Sequence, residues 1–136
     1  MSITILKAGF QDLIQDLGRN GYTHMGISPT GAADNLSFRI GNLLLGNDIN
    51  DPGIEITLFG GSYYFNTDAI IALSGSVFTS AIDDDMIPFF KPVVVKSGQT
   101  LTIGSTTNGA RCYLAIRGGF QVPYILDSSS THLLSN

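Results

Sequence analysis

Charge is scarce in this chain. Lys and Arg number 7 and Asp and Glu 11 among 136 residues, 13% in all, for a formal net charge of −4; an ordinary soluble domain carries about 25% charged residues. Seven scattered cations cannot form the basic stripe that phosphate neutralisation needs, which excludes nucleic acid and argues against an anionic membrane surface. Cysteine is nearly absent as well. Cys112 stands alone, so no internal disulfide can form, and this usage is that of a reducing compartment. The start, Met1-Ser2-Ile3-Thr4-Ile5-Leu6-Lys7, lacks the basic and long apolar regions of a secretory signal, and no window approaches about 18 uninterrupted apolar residues. The expected location is the cytoplasm. Missing, too, are the G-x-S-x-G elbow, a Walker A lysine, H-E-x-x-H and C-x-x-C. These absences argue against a self-contained hydrolase or kinase.

Hydrophobic residues, by contrast, make up 43%. That is enough apolar material to offset ordering entropy, and at this length one domain over residues 1–136 is the natural count. From residue 54 onward, β-branched runs alternate with Gly, Asn, Asp and Ser: Ile54 to Phe59, Ser62 to Asn66, Ala69 to Ser74, Ser76 to Ile82, Pro92 to Lys96, Gln99 to Gly104 and Arg111 to Arg117. This spacing predicts a mainly β fold. In the last run, Cys112, Leu114 and Ile116 share one face while Arg111, Tyr113, Ala115 and Arg117 share the other. One prominent α-helix is predicted over about residues 34–45, capped by Asp34 and closed by Gly46, with Leu36, Ile40, Leu43 and Leu44 as its apolar recurrence. Phe10 to Leu17 fits helical spacing through Phe10, Leu13, Ile14 and Leu17, yet the flanking Gly9 and Gly18 confine it to one short element of either kind.

Several residues read more simply as structure than as chemistry. His24 and His132 have no His or Cys at ligand spacing, so no metal site is expected. Cys112 reads as a buried, inert thiol. Asp83-Asp84-Asp85 reads as a hairpin tip rather than a cation site. Met25 and the Phe89-Phe90 pair read as packing. The segment Gln15-Asp16-Leu17-Gly18-Arg19-Asn20-Gly21-Tyr22 is more informative, together with Gly26, Gly31, Asp34 and Asn42-Leu43-Leu44-Leu45-Gly46-Asn47. A glycine-rich polar stretch of this kind can aim side chains at a ligand, and Arg19 offers a planar fork for a carboxylate. A structural alternative stands beside this one: Asp16 pairs with Arg19, Asp34 caps the helix and Asn47 closes its end.

Those motifs, with Ile54-Glu55-Ile56-Thr57-Leu58 and Tyr113-Leu114-Ala115-x-x-Gly118-Gly119, resemble the KipI-antagonist family, which includes the C-type subunit of 5-oxoprolinase and is also labelled allophanate hydrolase subunit 2. The resemblance implies a cyclophilin-like β-barrel, and it implies that this chain corresponds to the N-terminal half of a longer two-domain subunit. Near the end, the family's Gly-Ser-Arg-Ser-Thr-Asp-Leu-Leu stands here as Asp127-Ser128-Ser129-Ser130-Thr131-His132-Leu133-Leu134, with Ser129 in place of the arginine. Three functions are implied. The first is a part of an ATP-dependent 5-oxoprolinase or related amidolyase that acts with a KipI-like subunit and a lactam-hydrolase subunit. The second is regulatory binding that neutralises a KipI-like kinase inhibitor. The third is the carboxyltransferase part of a biotin-dependent urea carboxylase. In the first reading Arg19 grips the substrate carboxylate, and Asp16, Asp34, Asn47 and Glu55 position the lactam or orient Arg19. Catalytic residues stay unassigned, and the chain itself is expected to bind no cofactor: ATP is used by the complex, and biotin enters only in the third reading. Sparse charge on a hydrophobic chain also predicts an uncovered apolar surface and self-association.

Overall fold

The computed structural model describes residues 3–15, 32–120 and 131–132. Its strands are β1 (Ile3–Lys7), β2 (Gln11–Gln15), β3 (Gly53–Thr57), β4 (Ser62–Phe65), β5 (Ala69–Gly75), β6 (Phe78–Ile82), β7 (Asp85–Met86), β8 (Val93–Val95), β9 (Thr100–Thr106), β10 (Arg111–Ile116) and β11 (Thr131–His132), with helix α1 (Asn35–Leu44) between β2 and β3. The β-branched runs from residue 54 onward all become strands, because each is bounded by residues that turn the chain. Within the Phe10 to Leu17 stretch, the described part from Gln11 to Gln15 is strand and Asp16 and Leu17 lie outside the described residues: β2 buries Asp12, Ile14 and Gln15, and its ladder with β3 runs from Gln11 opposite Thr57 to Gln15 opposite Gly53.

The strands form two antiparallel sheets. One has the order β1-β4-β9-β6-β7 and the other β11-β2-β3-β10-β5-β8. A single apolar core lies between them, drawing Tyr63, Phe65, Phe78, Leu101 and Ile103 from the first and Ile54, Ile56, Leu73, Leu114 and Ile116 from the second. Among the described residues the sheets do not close into the expected barrel. Closure would require an edge of one sheet to bond an edge of the other, and β7 and β11 have two residues each and β8 three. Ladders that short have few N–H and C=O groups to offer.

The predicted helix is present, with its cap at Asp34, whose carboxylate accepts the backbone N–H of Ser37 at 3.1 Å and the Ser37 hydroxyl at 2.6 Å. Gly46 follows the helix with φ +74°, the left-handed conformation that glycine adopts without penalty. The buried face, however, differs from the expected one. Leu36 and Leu43 are 68% and 61% exposed, while Phe38, Gly41 and Asn42 are buried. The helix rests on β5 and β10; beside Phe38, its inward residues Gly41 and Asn42 are small or polar because the approach there is close. A Cβ on Gly41 would sit 3.1 Å from Ser74 Oγ and 3.3 Å from the Ala115 Cβ, and the Ser74 hydroxyl donates to the Ser37 carbonyl at 2.7 Å. Strand β10 is consequently buried on both sides: Cys112, Leu114 and Ile116 enter the intersheet core, while Tyr113 packs with Phe38 and Ala115 with Leu45 beneath the helix.

Candidate functional site

Alternation along β3 and β10 aims Glu55 and Tyr113 at the helix side of the second sheet, where the register sets them directly opposite one another. The Tyr113 hydroxyl donates to Glu55 Oε2 at 2.8 Å and accepts the backbone N–H of Asp34 at 2.8 Å. Glu55 Oε2 also accepts the Ala33 N–H at 2.8 Å. A buried carboxylate and a buried phenol thus hold the two residues that lead into α1. Arg111 Nε lies 4.0 Å from Glu55 Oε1. Burial, and then the Glu55 charge, push the Tyr113 phenol well above its ordinary pKa, so it stays protonated and remains a donor.

Gln15 ends β2 opposite Gly53, one diagonal step from Glu55 on the same sheet face. It is 6% exposed, and its Oε1 has no hydrogen-bond partner among the described residues. This face therefore holds two buried acceptors side by side, the unpartnered Gln15 amide oxygen and the Glu55 carboxylate.

Of the residues singled out by sequence, the structure brings Asp34 and Glu55 together through Tyr113. Asp34 itself points to Ser37, whose hydroxyl and then backbone N–H hold the carboxyl below the usual range. Asn47 lies at the other end of the helix, where its Nδ2 donates to Ile116 O at 2.7 Å and Asn42 Oδ1 at 3.0 Å and its Oδ1 accepts the Gly118 N–H at 2.9 Å. It clips the helix end to the end of β10. Asp16 and Arg19 fall outside the described residues, as do His24, Met25 and Ser129. Asp83 is a turn residue with φ +52° that accepts the Thr100 N–H at 3.0 Å, and no group of three His, Cys, Asp or Glu able to hold a metal occurs among the described residues. Cys112 is fully buried, with burial raising its thiol far above the ordinary pKa. Phe89 and Phe90 form an edge-to-face pair. Among the described residues, no helix is long and apolar enough to cross a membrane.

Sequence reasoning passed over Tyr113 in this network, and over Asp12, the buried acid of β2. Tyr113 is a hydroxyl on a strand face that the helix covers. Asp12 is an acid inside an otherwise apolar alternation, which is the signal that could have found it.

An open groove of about 420 Å³ runs past the helix cap, lined by Asp34, Gly75, Ser76, Thr107, Asn108 and Gly109. Of the paired glycines, Gly118 faces open space, whereas the Cβ positions of Gly60, Gly61 and Gly119 are already filled. A Cβ on Gly60 would meet Ile103 at 2.7 Å, one on Gly61 would collide with the Lys7 carbonyl, and one on Gly119 would meet the acidic Asp51 at 3.2 Å.

The family model described as the carboxyltransferase domain, subdomain A and B, matches residues 25–136. The chain is 46% identical over 136 residues to urea amidolyase of Saccharomyces cerevisiae, covering 99% of this chain and 7% of that protein. It is 41% identical over 131 residues to the C-type subunit of 5-oxoprolinase from Escherichia coli, covering 96% of this chain and 42% of that protein. The crystal structure of urea amidolyase from Kluyveromyces lactis superposes with a TM-score of 0.86 at 41% identity, over 95% of this chain and 8% of that one. The chain therefore spans less than half the length of each of these relatives.

Proposed function

The chain belongs to the carboxyltransferase domain family, subdomain A and B, and from that premise we propose that it forms one half of a two-domain subunit of a cytoplasmic, ATP-dependent 5-oxoprolinase or related amidolyase. It works with a KipI-like subunit and a lactam-hydrolase subunit. The observation that carries this reading is the 41% identity to the C-type 5-oxoprolinase subunit across 96% of the chain. A lactam offers one N–H donor, which in this reading is accepted on the face that carries Gln15 and Glu55. In this reading Arg19 holds the substrate carboxylate, with Asp16 beside it. Glu55 and Asp34 set the wall of the site, and Asn47 fixes the helix that carries Asp34. In this reading ATP is bound by the other subunits.

A second reading, the carboxyltransferase part of a urea carboxylase, draws on the 46% identity to urea amidolyase. Urea also brings N–H donors. In that case biotin arrives on a carrier supplied by another part of the enzyme.

One experiment separates these readings. The purified chain is assayed for ATP hydrolysis alone, then with KipI-like and lactam-hydrolase subunits and 5-oxoproline, then with a biotin carboxylase, a biotinylated carrier and urea. The first reading expects silence alone and 5-oxoproline-dependent turnover in the first mixture. Turnover by the chain alone, or no affinity for the KipI-like subunit, overturns it. Urea-dependent turnover selects the second reading, and tight binding to the KipI-like subunit without turnover selects regulatory binding.

A further inference from the structure

The turn between β1 and β2 meets the connection between β3 and β4 at one corner of the sandwich, backbone against backbone. A Cβ on Gly9 would lie 2.5 Å from the Phe59 carbonyl oxygen and 2.8 Å from Asp12 Oδ1. The Phe10 N–H donates to that carbonyl at 3.0 Å. Outside the corner, Phe10 and Phe59 are 55% and 43% exposed, with ring centroids 5.7 Å apart. Inside it lies Asp12, 1% exposed. Its Oδ2 accepts the Tyr63 hydroxyl at 2.6 Å and the Gly9 N–H at 3.2 Å, and the Tyr63 oxygen accepts the Gly61 N–H at 3.3 Å. One carboxyl oxygen thus gathers both turns and both sheets, while Asp12 Oδ1 has no hydrogen-bond partner among the described residues.

An ionised carboxylate buried this way has two donors where it could accept about four, and among the described residues no cation pairs with it. Lys96 pairs instead with Asp68 and Arg111 with Glu55. The titratable groups acting with Asp12 are the Tyr63 phenol of β4 and the Cys112 thiol of β10, both held neutral by burial and by the Asp12 charge itself. On β11, the register sets His132 against Leu13 rather than Asp12.

We propose that Asp12 is a proton-operated latch on this corner: the neutral carboxyl ties the two turns together, and the ionised one lets them part, loosening the platform that presents Phe10 and Phe59. A proton on Oδ1 leaves Oδ2 able to accept both of its bonds, each weaker than to a carboxylate, without burying a charge. Loss of that proton places an uncompensated charge where Oδ1 meets no donor. Burial raises the Asp12 pKa above the ordinary carboxylate value despite the Tyr63 and Gly9 bonds, which brings the switch toward neutral pH.

The test uses the full chain. Amide hydrogen exchange at Gly9, Phe10 and Gly61, corrected for the intrinsic pH dependence, is followed from acid to neutral pH beside the carboxyl carbon-13 shift of Asp12. The latch expects protection to fall as the carboxyl ionises, with coincident midpoints above the ordinary carboxylate range. Asp12→Asn should abolish the pH dependence at these amides, and Tyr63→Phe should move the midpoint higher. A carboxyl midpoint at or below the ordinary value, protection that ignores it, or unchanged pH dependence in Asp12→Asn overturns the proposal. Should Asp12→Asn fail to fold, coincidence of the two midpoints in the unaltered chain decides.

Discussion

Asp34 and Asp12 are carboxylates with opposite environments and opposite pH behaviour. Asp34 is exposed and receives two donors from Ser37, so Asp34→Ala should lower stability by about 0.5–2 kcal/mol, read from urea unfolding. Asp34→Asn should retain most of the cap. Because the Asp34 pKa is lowered on folding, its contribution is present above the ordinary carboxylate pKa and is lost as the pH falls through the folded value. For Asp12 the pKa is raised, and the sign reverses. Stability is highest below the ordinary carboxylate pKa and is lost as the pH rises through the folded value, so Asp12→Asn should be more stable than the unaltered chain at neutral pH and lose that advantage in acid. Tyr113→Phe removes one donor and one acceptor at once, leaving the Asp34 N–H without its partner. A cost of about 1–3 kcal/mol is expected in the same unfolding measurement.

Among the elements, helix α1 shows which parts of the fold are legible in sequence. Its two ends were, because Asp34 and Gly46 act through local backbone chemistry. Its buried side was not. Leu36 and Leu43 face outward while Gly41 and Asn42 face the sheet, since close approach to Ser74 and Ala115 selects small residues there and Asn42 bonds the Ile49 and Asp51 carbonyls. Phe38→Ala should therefore cost about 3–5 kcal/mol, whereas Leu36→Ala should stay within about 0.5 kcal/mol, both by denaturant midpoint. Strand β2 was ambiguous because Asp12 and Gln15, buried polar residues, obscure an alternation that apolar residues would have displayed. The strands after residue 54 were plain because their inward positions are apolar and their ends carry turn residues. In the site, Glu55 stood out through family likeness and Asp34 through capping. The link between them was hidden because it depends on Tyr113, 79 residues from Asp34 in the chain.

At the scale of the whole molecule, apolar side chains remain uncovered on several surfaces. Leu58 joins Phe10 and Phe59 at the corner, and Met86, Phe90 and Val94 are exposed elsewhere. Self-association of the isolated chain is the expected outcome, measured by sedimentation across a concentration series. A Phe10→Ser, Phe59→Ser double variant should shift that equilibrium toward monomer if the corner carries the contact, and binding of a KipI-like subunit should compete with association if the two share that surface.

The place of β10 between β3 and β5 also governs the order in which the chain can fold as it is made. When synthesis has reached Gly109, β3 and β5 have both emerged, yet each lacks the neighbour that separates them, and their facing edges are open to pairing with another nascent chain. Only with Arg111–Ile116 does the second sheet become continuous, and only then do both the intersheet core and the floor beneath the helix exist. A ribosome that stalls before that strand would hold a polypeptide whose first sheet has all its strands but whose second is split into a β2-β3 pair and a β5-β8 pair with nothing to join them, making this late segment the one whose delivery a chaperone must wait for.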